Sequence, residues 1–281
     1  MSGPVAERFE FASPHDGLRL CARLDRSTHH RARIVLVHGL GEHAARHDDV
    51  AQALVAHGFD VARLDLRGHG LSDGKRGDVP SFDAILDDVQ GLMREAAHRL
   101  PPAKVVLWGH SLGGLIVTSL AWRRRPDVAG VVALAPAFRP ARRPPRWKLA
   151  LAHVLIRTFP AFTLGNSLDV RGLSHLQDVV ARYRHDPLVH RRISSRLGLG
   201  MLDEGQALLL CEPVPSVPIL VVHGDEDRIT SLEASREFAR RHPHVELVVR
   251  PGAYHELHHE RDRTAVLDAA LAWIDARLAQ R

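Results

Sequence analysis

The stretch that decides the fold is residues 105–114, which read Val105-Val106-Leu107-Trp108-Gly109-His110-Ser111-Leu112-Gly113-Gly114. Its apolar start predicts a buried strand, and the residues from 112 to 124 that follow predict a helix. The motif G-x-S-x-G stands at the junction of the two. Such a sharp turn strains the serine backbone, so the residues two positions before and after it must be small. We therefore predict that Ser111 projects from the end of a strand at a helix N-terminus, where developing negative charge is stabilised.

Strand-like and helical stretches alternate around this motif. Apolar runs typical of strands occur at 34–37, 61–64, 131–134, 219–222 and 245–249, with an opening hairpin at 8–12 and 18–24. Helical patterns lie between them at 50–57, 82–99, 232–241 and 264–278. Runs this apolar are typical of strands covered on both faces. The sequence therefore predicts an α/β protein with a mostly parallel central sheet flanked by helices.

The alternation breaks between Ala135 and Pro218. Four prolines, at 136, 140, 144 and 145, precede helical patterns at 147–156 and 176–196, and no strand is predicted across this segment. We interpret 136–217 as an inserted helical cap, and 1–135 with 218–281 as the core. Because ligands of open α/β sheets bind outside the carboxyl ends of the strands, a cap inserted there would cover the site.

The charge of the chain is concentrated in this insert. Lys plus Arg number 38 against 33 Asp plus Glu, a formal charge of +5, but residues 139–196 carry +9 and the remainder −4. A basic excess confined to one insert does not favour nucleic acid as a partner. The apolar and basic stretch 139–162 instead suggests weak, reversible contact with an anionic membrane surface. The alternative is that its apolar residues simply pack on the body.

The sequence also predicts a cytoplasmic location. The N-terminal residues lack the apolar core of a signal peptide, and no apolar run approaches the ~18 residues that a spanning helix needs. Cys21 and Cys211 are too few for a disulfide framework. Oligomeric state is left open.

A nucleophilic serine needs a base and a carboxylate, which on this type of sheet follow later strands in the order serine, acid, histidine. His255 follows the last predicted strand and is the candidate base, able to take the proton of Ser111. The strand at 219–222 is followed by three carboxylates, Asp225, Glu226 and Asp227. The spacing alone leaves the choice among them open.

An acyl-transfer site also needs two N–H donors for the oxyanion. One is expected from Leu112, directly after the serine. The other is expected from the loop that follows the strand 34–37, with Leu40 as the candidate residue. Donors aimed in this way stabilise the transition state by ~3–4 kcal/mol each.

Five motifs together resemble the monoacylglycerol lipase and lysophospholipase group of α/β-hydrolases, within the serine aminopeptidase-like family. They are His38-Gly39-Leu40-Gly41-Glu42-His43, the segment 65–72, the segment 109–114, Gly224-Asp225-Glu226-Asp227-Arg228, and Gly252-Ala253-Tyr254-His255. The resemblance implies Asp227 as the acid, because the family's aspartate precedes arginine. It also implies that Glu42, Arg46 and His258 line the polar end of the site, where a glycerol head group would lie.

The function that the resemblance implies is hydrolysis of monoacylglycerols or lysophospholipids through an acyl-enzyme at Ser111, with a small-molecule lipid ester as substrate and no cofactor. Two alternatives stay open: a serine peptidase or small-ester esterase of the same fold, and a ligand-binding protein without turnover. Dehalogenases and epoxide hydrolases of this fold use an aspartate nucleophile, so Ser111 argues against both.

Two further motifs are interpreted as structural. Residues 255–259 spell H-E-x-x-H, the zinc signature of metallopeptidases. Since Pro251 and Gly252 lie just upstream, His255 is expected at a strand-to-helix turn and not within a helix, and no metal is predicted. The glycine-rich loop 65–73 lacks the lysine of a phosphate loop and the terminal glutamate of a calcium loop, so we predict a tight turn.

Overall fold

The structure, a computed structural model, describes residues 6–166, 168–211 and 217–279. Its centre is an eight-stranded sheet, and two shorter strands pair separately. In chain order the strands are β1 Glu7–Ala12, β2 Arg19–Asp25, β3 Ala32–Val37, β4 Phe59–Leu64, β5 Val105–His110, β6 Gly130–Leu134, β7 Thr163–Gly165, β8 Arg192–Ser194, β9 Ile219–Gly224 and β10 Val245–Arg250. The predicted mostly parallel sheet and its opening hairpin are confirmed.

The strand order in the large sheet is β1-β2-β4-β3-β5-β6-β9-β10. In this sheet, every neighbouring pair among β4, β3, β5, β6, β9 and β10 is parallel, and β2 runs antiparallel to both β1 and β4. β5 therefore lies in the middle, with β3 and β6 as its neighbours. Because the strands are parallel, the loops after β3, β5, β9 and β10 all open at the carboxyl edge of the sheet.

Helices cover both faces. They are α1 Asp48–Ala56, α2 Phe82–Arg99, α3 Leu112–Arg124, α4 Arg146–Thr158, α5 Gln177–His185, α6 Ser195–Leu210, α7 Leu232–Arg241 and α8 Arg263–Leu278. Alternate residues of the central strands point to opposite faces of the sheet and pack in two separate hydrophobic cores. Val35 and Leu107 pack with α2, α3 and α6, whereas Leu36 and Trp108 pack with α1 and α8. This burial on both faces is the physical reason for the unbroken apolar strands.

The segment between β6 and β9 differs from its prediction in two ways. It is not free of strands, because β7 and β8 pair in a small antiparallel sheet. The predicted helical region 176–196 is confirmed only over α5, which ends at His185 before the chain extends into β8, whereas the predicted helix at 147–156 is present as α4. Arg192–Ser194 is too short to show the period-two pattern of a strand, so local sequence does not predict it.

The last helix of this segment, α6, was not predicted. Leu197, Leu208 and Leu209 of α6 belong to the main hydrophobic core of the body. The cap boundaries 136–217 stay a prediction, and part of that range, 212–216 and Ser167, lies outside the described residues. Within the described residues, no helix is both long and apolar enough to cross a membrane.

Candidate active site

Ser111 stands at the sharp turn between β5 and α3. Its backbone has φ 54° and ψ −114°, a strained conformation for a residue with a side chain, of the kind that costs ~1–3 kcal/mol and clusters at functional sites. The Ser111 N–H donates to the carbonyl of Leu134 at 2.9 Å, which fixes the turn against β6. The side chain is mostly buried at the carboxyl edge of the sheet.

The two flanking glycines are required by space. A Cβ at Gly109 would lie 2.2 Å from the Gly113 carbonyl oxygen, and a Cβ at Gly113 would lie 2.0 Å from the Val37 oxygen. Neither backbone can move without disturbing a central strand or α3. The geometry therefore supplies the reason for small residues two positions before and after the serine.

Asp227 and His255 meet across the loops after β9 and β10. Asp227 Oδ2 lies 2.7 Å from His255 Nδ1, and both side chains are almost wholly buried. Of the other two carboxylates in the loop, Asp225 is exposed and accepts a hydrogen bond from the Gly252 N–H, and Glu226 is exposed as well. The structure thus pairs His255 with the carboxylate that the resemblance had implied.

The carboxylate of Asp227 is held by more than His255. Its Oδ1 accepts the N–H groups of Ile229 and Thr230 at 2.7 and 3.0 Å, and its Oδ2 accepts the Thr230 hydroxyl at 2.8 Å. His223 Nε2 lies 3.2 Å from the same Oδ2. Burial alone would raise the pKa of Asp227, but its contacts with His255 and His223 outweigh burial and hold the pKa well below its usual range.

Sequence reasoning missed Thr230 and His223. His223 lies near the end of β9, and Thr230 lies three residues after Asp227. A single histidine or threonine at such a position belongs to no recognisable sequence motif. His223 Nδ1 in turn meets the Ser235 hydroxyl at 2.8 Å. The acid is therefore oriented by a set of contacts that only the fold brings together.

The candidate oxyanion donors lie on either side of Ser111. Leu112 opens α3, and Leu40 follows Gly39, at which a Cβ would come within 3.2 Å of Ser111 Cβ. As the first residue of α3, Leu112 has an N–H group that takes no part in the helix's own hydrogen bonds and can donate to a substrate oxygen. The N–H groups of Leu40 and Leu112 therefore remain the candidate oxyanion donors.

The loop that carries Leu40 is held by residues of the segment between β6 and β9, which the sequence analysis interprets as an insert. The N–H of His190 donates to the Gly41 oxygen at 2.8 Å, and His43 Nε2 lies 2.8 Å from Asp186. Gly41 has φ +81°, and a Cβ there would lie 2.3 Å from the His190 oxygen. The position of one candidate oxyanion donor therefore depends on the insert.

Glu42, Arg46 and His258 lie together beneath the candidate nucleophile. Arg46 donates to Glu42 Oε2 at 3.2 Å and to both carboxylate oxygens of Glu256 at 2.7 Å. Glu42 accepts the Gly39 N–H at 2.6 Å and faces His110 Nδ1 at 3.1 Å. All of these side chains are buried, so each charge in the network needs a partner within the fold.

Charge compensation governs this network. Burial would raise the pKa of Glu42, but His47 and His110 hold it well below its usual range. Burial would likewise raise the pKa of Glu256, and Arg46 and His259 lower it to about 2. Both carboxylates are therefore ionised at neutral pH and share one guanidinium. Glu256, the would-be catalytic glutamate of the H-E-x-x-H match, serves here as a partner of Arg46.

The zinc-peptidase arrangement is not formed. A zincin binds its metal through two histidines one turn apart on a helix, but residues Leu257–His259 form only a short 3₁₀ turn. His255 pairs with Asp227, and His259 Nδ1 lies 2.8 Å from Glu256 Oε2. The loop 65–73 is a tight structural turn, because Asp65 accepts the N–H groups of Ala44 and Leu71.

A strained serine after a central strand and a buried aspartate–histidine pair from the loops after two later strands define a serine hydrolase of the α/β-hydrolase fold. The family model described as "Serine aminopeptidase, S33" matches residues 28–262. The chain belongs to this family.

Relatives and solved structures agree with that assignment. The chain is 35% identical over 251 residues to the monoacylglycerol lipase of Mycolicibacterium smegmatis, covering 88% of this chain and 89% of that protein. It is 32% identical to an uncharacterised abhydrolase domain-containing protein of Dictyostelium discoideum, of which it spans only 26%. The crystal structure of Paleococcus ferrophilus monoacylglycerol lipase superposes with a TM-score of 0.82 at 33% identity, covering 98% of this chain and 100% of that one.

Proposed function

We propose that this protein is a serine carboxylic-ester hydrolase that acts on monoacylglycerols. The observation that carries the proposal is the strained Ser111 beside the buried Asp227–His255 pair, whose nitrogen and oxygen are 2.7 Å apart. The similar proteins from Mycolicibacterium smegmatis and Paleococcus ferrophilus are both monoacylglycerol lipases, which supports this substrate class. Neither similarity supports the alternatives of a peptidase or of a binding protein without turnover.

In the proposed reaction, His255 Nε2 takes the hydroxyl proton of Ser111 as the serine oxygen attacks the ester carbonyl. Asp227 stabilises the imidazolium and fixes the proton on Nδ1. The N–H groups of Leu40 and Leu112 bind the oxyanion. The glycerol leaves with the proton from His255, and water then attacks the acyl-enzyme with His255 again as base. The acyl chain departs as a fatty acid and the serine is regenerated. No cofactor takes part.

The polar network of Glu42 and Arg46, with His258 nearby, is the proposed end of the site for the head group. Its one guanidinium is already shared by two ionised carboxylates. An added phosphate would meet that negative charge, whereas the hydroxyls of glycerol can donate to it. The charges therefore favour monoacylglycerols over lysophospholipids, which remain the second candidate class.

A rate panel tests the proposed substrate. It compares monoacylglycerols of several chain lengths with lysophosphatidylcholine, p-nitrophenyl butyrate and an aminoacyl-naphthylamide. We expect the highest kcat/KM on a monoacylglycerol, loss of all turnover in Ser111→Ala, labelling by a fluorophosphonate, and no loss of activity with a chelator. Preferred cleavage of the amide, or ester turnover that survives in Ser111→Ala, would contradict the proposal.

The second proposal concerns contact with a membrane surface through α4. No residue of this helix is buried, and Trp147 and Val154 are 64% and 58% exposed. Leu151 lies between them, so the spacing of four and three residues places the side chains on one face. Phe159, 68% exposed, extends the same apolar surface. An exposed stripe of this kind is not explained by packing on the body.

Basic residues accompany the stripe. Arg142, Arg143, Arg146 and Lys148 are exposed around the start of α4, and each basic group near an anionic surface contributes ~1 kcal/mol, which salt screens. We expect weak, reversible binding to phosphatidylserine-containing vesicles that falls at high salt. Trp147→Ser with Phe159→Ser should abolish it, and Leu71→Ser, an exposed leucine on the body, should not. Equal binding to neutral vesicles, or none, would contradict the role of the basic residues.

The cytoplasmic location and the absence of a nucleic-acid partner stay predictions. The prediction about nucleic acid concerns the basic excess of residues 139–196, and part of that positive charge is neutralised by ion pairs within the fold. Arg139 pairs with Glu237 and Arg196 with Asp78, both of the body. The insert thus uses some of its arginines to attach itself to the acidic core.

A further inference from the structure

Three buried histidines converge behind the candidate nucleophile. They are His47, in the turn before α1, His110, the residue before Ser111, and His258, in the turn after β10. One ring nitrogen from each lies within 4.8 Å of the other two. The His47 and His258 rings stack at 4.5 Å, and the His110 ring meets His258 edge-on at 4.7 Å. The proposed reaction uses none of these nitrogens for proton transfer.

Several of these nitrogens lack a hydrogen-bond partner. Among the described residues, both ring nitrogens of His258 and Nδ1 of His47 are buried with no donor or acceptor in reach. Leaving a buried polar atom unpaired is costly, and native structures rarely tolerate several in one place. Unpaired imidazole nitrogens are the donors that zinc, copper and nickel prefer. His110 differs from the other two, because its Nδ1 lies 3.1 Å from Glu42 Oε1 and its Nε2 lies 3.3 Å from the His255 carbonyl oxygen. A metal ion bound to its Nε2 would replace the second of these contacts.

A carboxylate lies behind two of the rings. Glu42 Oε1 is 3.3 Å from His47 Nε2 and 3.1 Å from His110 Nδ1. In histidine metal sites, the ring nitrogen that is not a ligand commonly donates to such a carboxylate, which fixes the tautomer. With its proton on Nε2 toward Glu42, His47 has its lone pair on Nδ1, the atom that lacks a partner.

One histidine of the cluster borders a cavity that opens to solvent. His258 lines a cavity of about 520 Å³ between α1 and α8, on the side of the sheet away from the insert. Asp49 and Gln52 lie along this cavity and Arg263 at its edge. The cavity leaves room for a water molecule as a further ligand. The carboxylate of Asp49 in its wall would attract an entering cation.

We propose that His47, His110 and His258 bind one divalent transition-metal ion of the zinc type. Zinc–nitrogen bonds of 2.0–2.1 Å place tetrahedral ligands about 3.3 Å apart, so the rings must close by roughly 1.5 Å. The site differs from the H-E-x-x-H motif, since its ligands come from three loops and include neither His255 nor His259. The ion joins the loops after β3, β5 and β10 and stabilises the fold, and it takes no part in the proton transfers of the proposed reaction.

The binding experiment uses the full chain without an affinity tag, stripped with a chelator. We expect calorimetric titration with Zn²⁺ to show one saturable site per chain, and the unfolding temperature to rise with zinc. Co²⁺ should give the visible absorption of a four-coordinate site. At the zinc K-edge, X-ray absorption should show about three imidazole nitrogens. Only weak binding of several ions, or a shell of sulfur or of oxygen alone, would overturn the proposal without any variant.

Variants assign the ligands. His47→Gln and His258→Gln should each weaken zinc binding at least tenfold. Two matched controls should bind as the unmodified chain does: His69→Gln, which removes another buried histidine with an unpaired Nε2, and His153→Gln, which removes an exposed one on α4. Circular dichroism of the metal-free variants verifies folding, and if one ligand variant does not fold, the other decides. Unchanged affinity in a folded ligand variant would overturn the assignment.

Discussion

Asp227 Oδ2 lies 2.7 Å from His255 Nδ1, while Asp225, two residues earlier in the same loop, is exposed and accepts the N–H of Gly252 instead. The two aspartates are chemically identical, and the sequence pattern treats them alike. The path of the loop after β9 turns one toward His255 and the other toward the solvent. Substituting Asp227 tests a role in proton transfer, and substituting Asp225 tests a role in holding the loop in place.

Asp227→Asn should therefore lower kcat by about 10⁴-fold, because the amide can no longer stabilise the imidazolium or select its tautomer. Asp225→Asn is the matched control, since its amide oxygen can still accept the Gly252 N–H. We expect it to keep activity within a few-fold. Steady-state kinetics on p-nitrophenyl butyrate measure both, and an equal loss in the two variants would contradict the assignment of the acid.

The glycines around Ser111 allow a second prediction. Gly109→Ala and Gly113→Ala each add a Cβ that would lie 2.2 and 2.0 Å from a backbone oxygen, so both should lower the unfolding temperature and abolish turnover. Gly200→Ala in α6 meets nothing within 4 Å. It should stabilise the fold by about 0.5–1 kcal/mol through helix propensity. A stable and active Gly113→Ala would show that the turn is less constrained than its geometry indicates.

The buried ion pair of Arg67 and Asp88 leads to a third prediction, which concerns stability. Arg67 donates to both oxygens of Asp88 at 2.6 and 2.9 Å, and neither side chain is exposed. Asp88→Ala leaves a buried guanidinium short of its partner and should cost about 3–5 kcal/mol of unfolding free energy.

The neighbouring Asp87, which forms partly exposed contacts with His15 and Arg124, is the control for that change. Asp87→Ala should cost about 0–1 kcal/mol. Urea unfolding compares the two variants. Similar losses would mean that Arg67 is held mainly by its other partners, Asp16 and Ser13.

The fourth prediction is a pH dependence of stability. Burial, with Arg76 and His38 nearby, lowers the pKa of His190 to about 4 from an ordinary value of 6.5. Between these values the unfolded chain binds a proton that the folded chain does not, so the free energy of unfolding falls as the pH falls. His190→Gln should remove this proton and make that slope shallower, by at most about 1.4 kcal/mol per pH unit.

Unfolding by urea at several pH values between 7 and 4.5 measures the slope. His153→Gln, at an exposed histidine of α4, should leave it as in the unmodified chain. If His190→Gln also leaves the slope unchanged, the proton uptake lies at other buried histidines, of which His38 and His69 are the nearest.

Most of the fold follows from sequence patterns. The five central strands of the parallel sheet are apolar on both faces, and α2, α3 and α7 begin and end where their patterns do. Between β6 and β9 the sequence pattern predicts α4, but it does not predict β7, β8 or α6. β7 and β8 have three residues each, and the apolar residues of α6 pack on the body in a way that no local period reveals.

The sequence by itself determined the nucleophile turn, since G-x-S-x-G between a strand and a helix allows one local geometry. It also placed His255 after the last strand, because parallel strands end at one edge. Spacing in the sequence left three carboxylates open and the family resemblance implied Asp227, but only the tertiary structure brings Asp227 against His255 and gathers three histidines behind Ser111. Such contacts join loops that are far apart in the chain, and burial among them sets their charge and pKa. Local pattern is fixed by neighbours in sequence, whereas these pairings depend on neighbours in space.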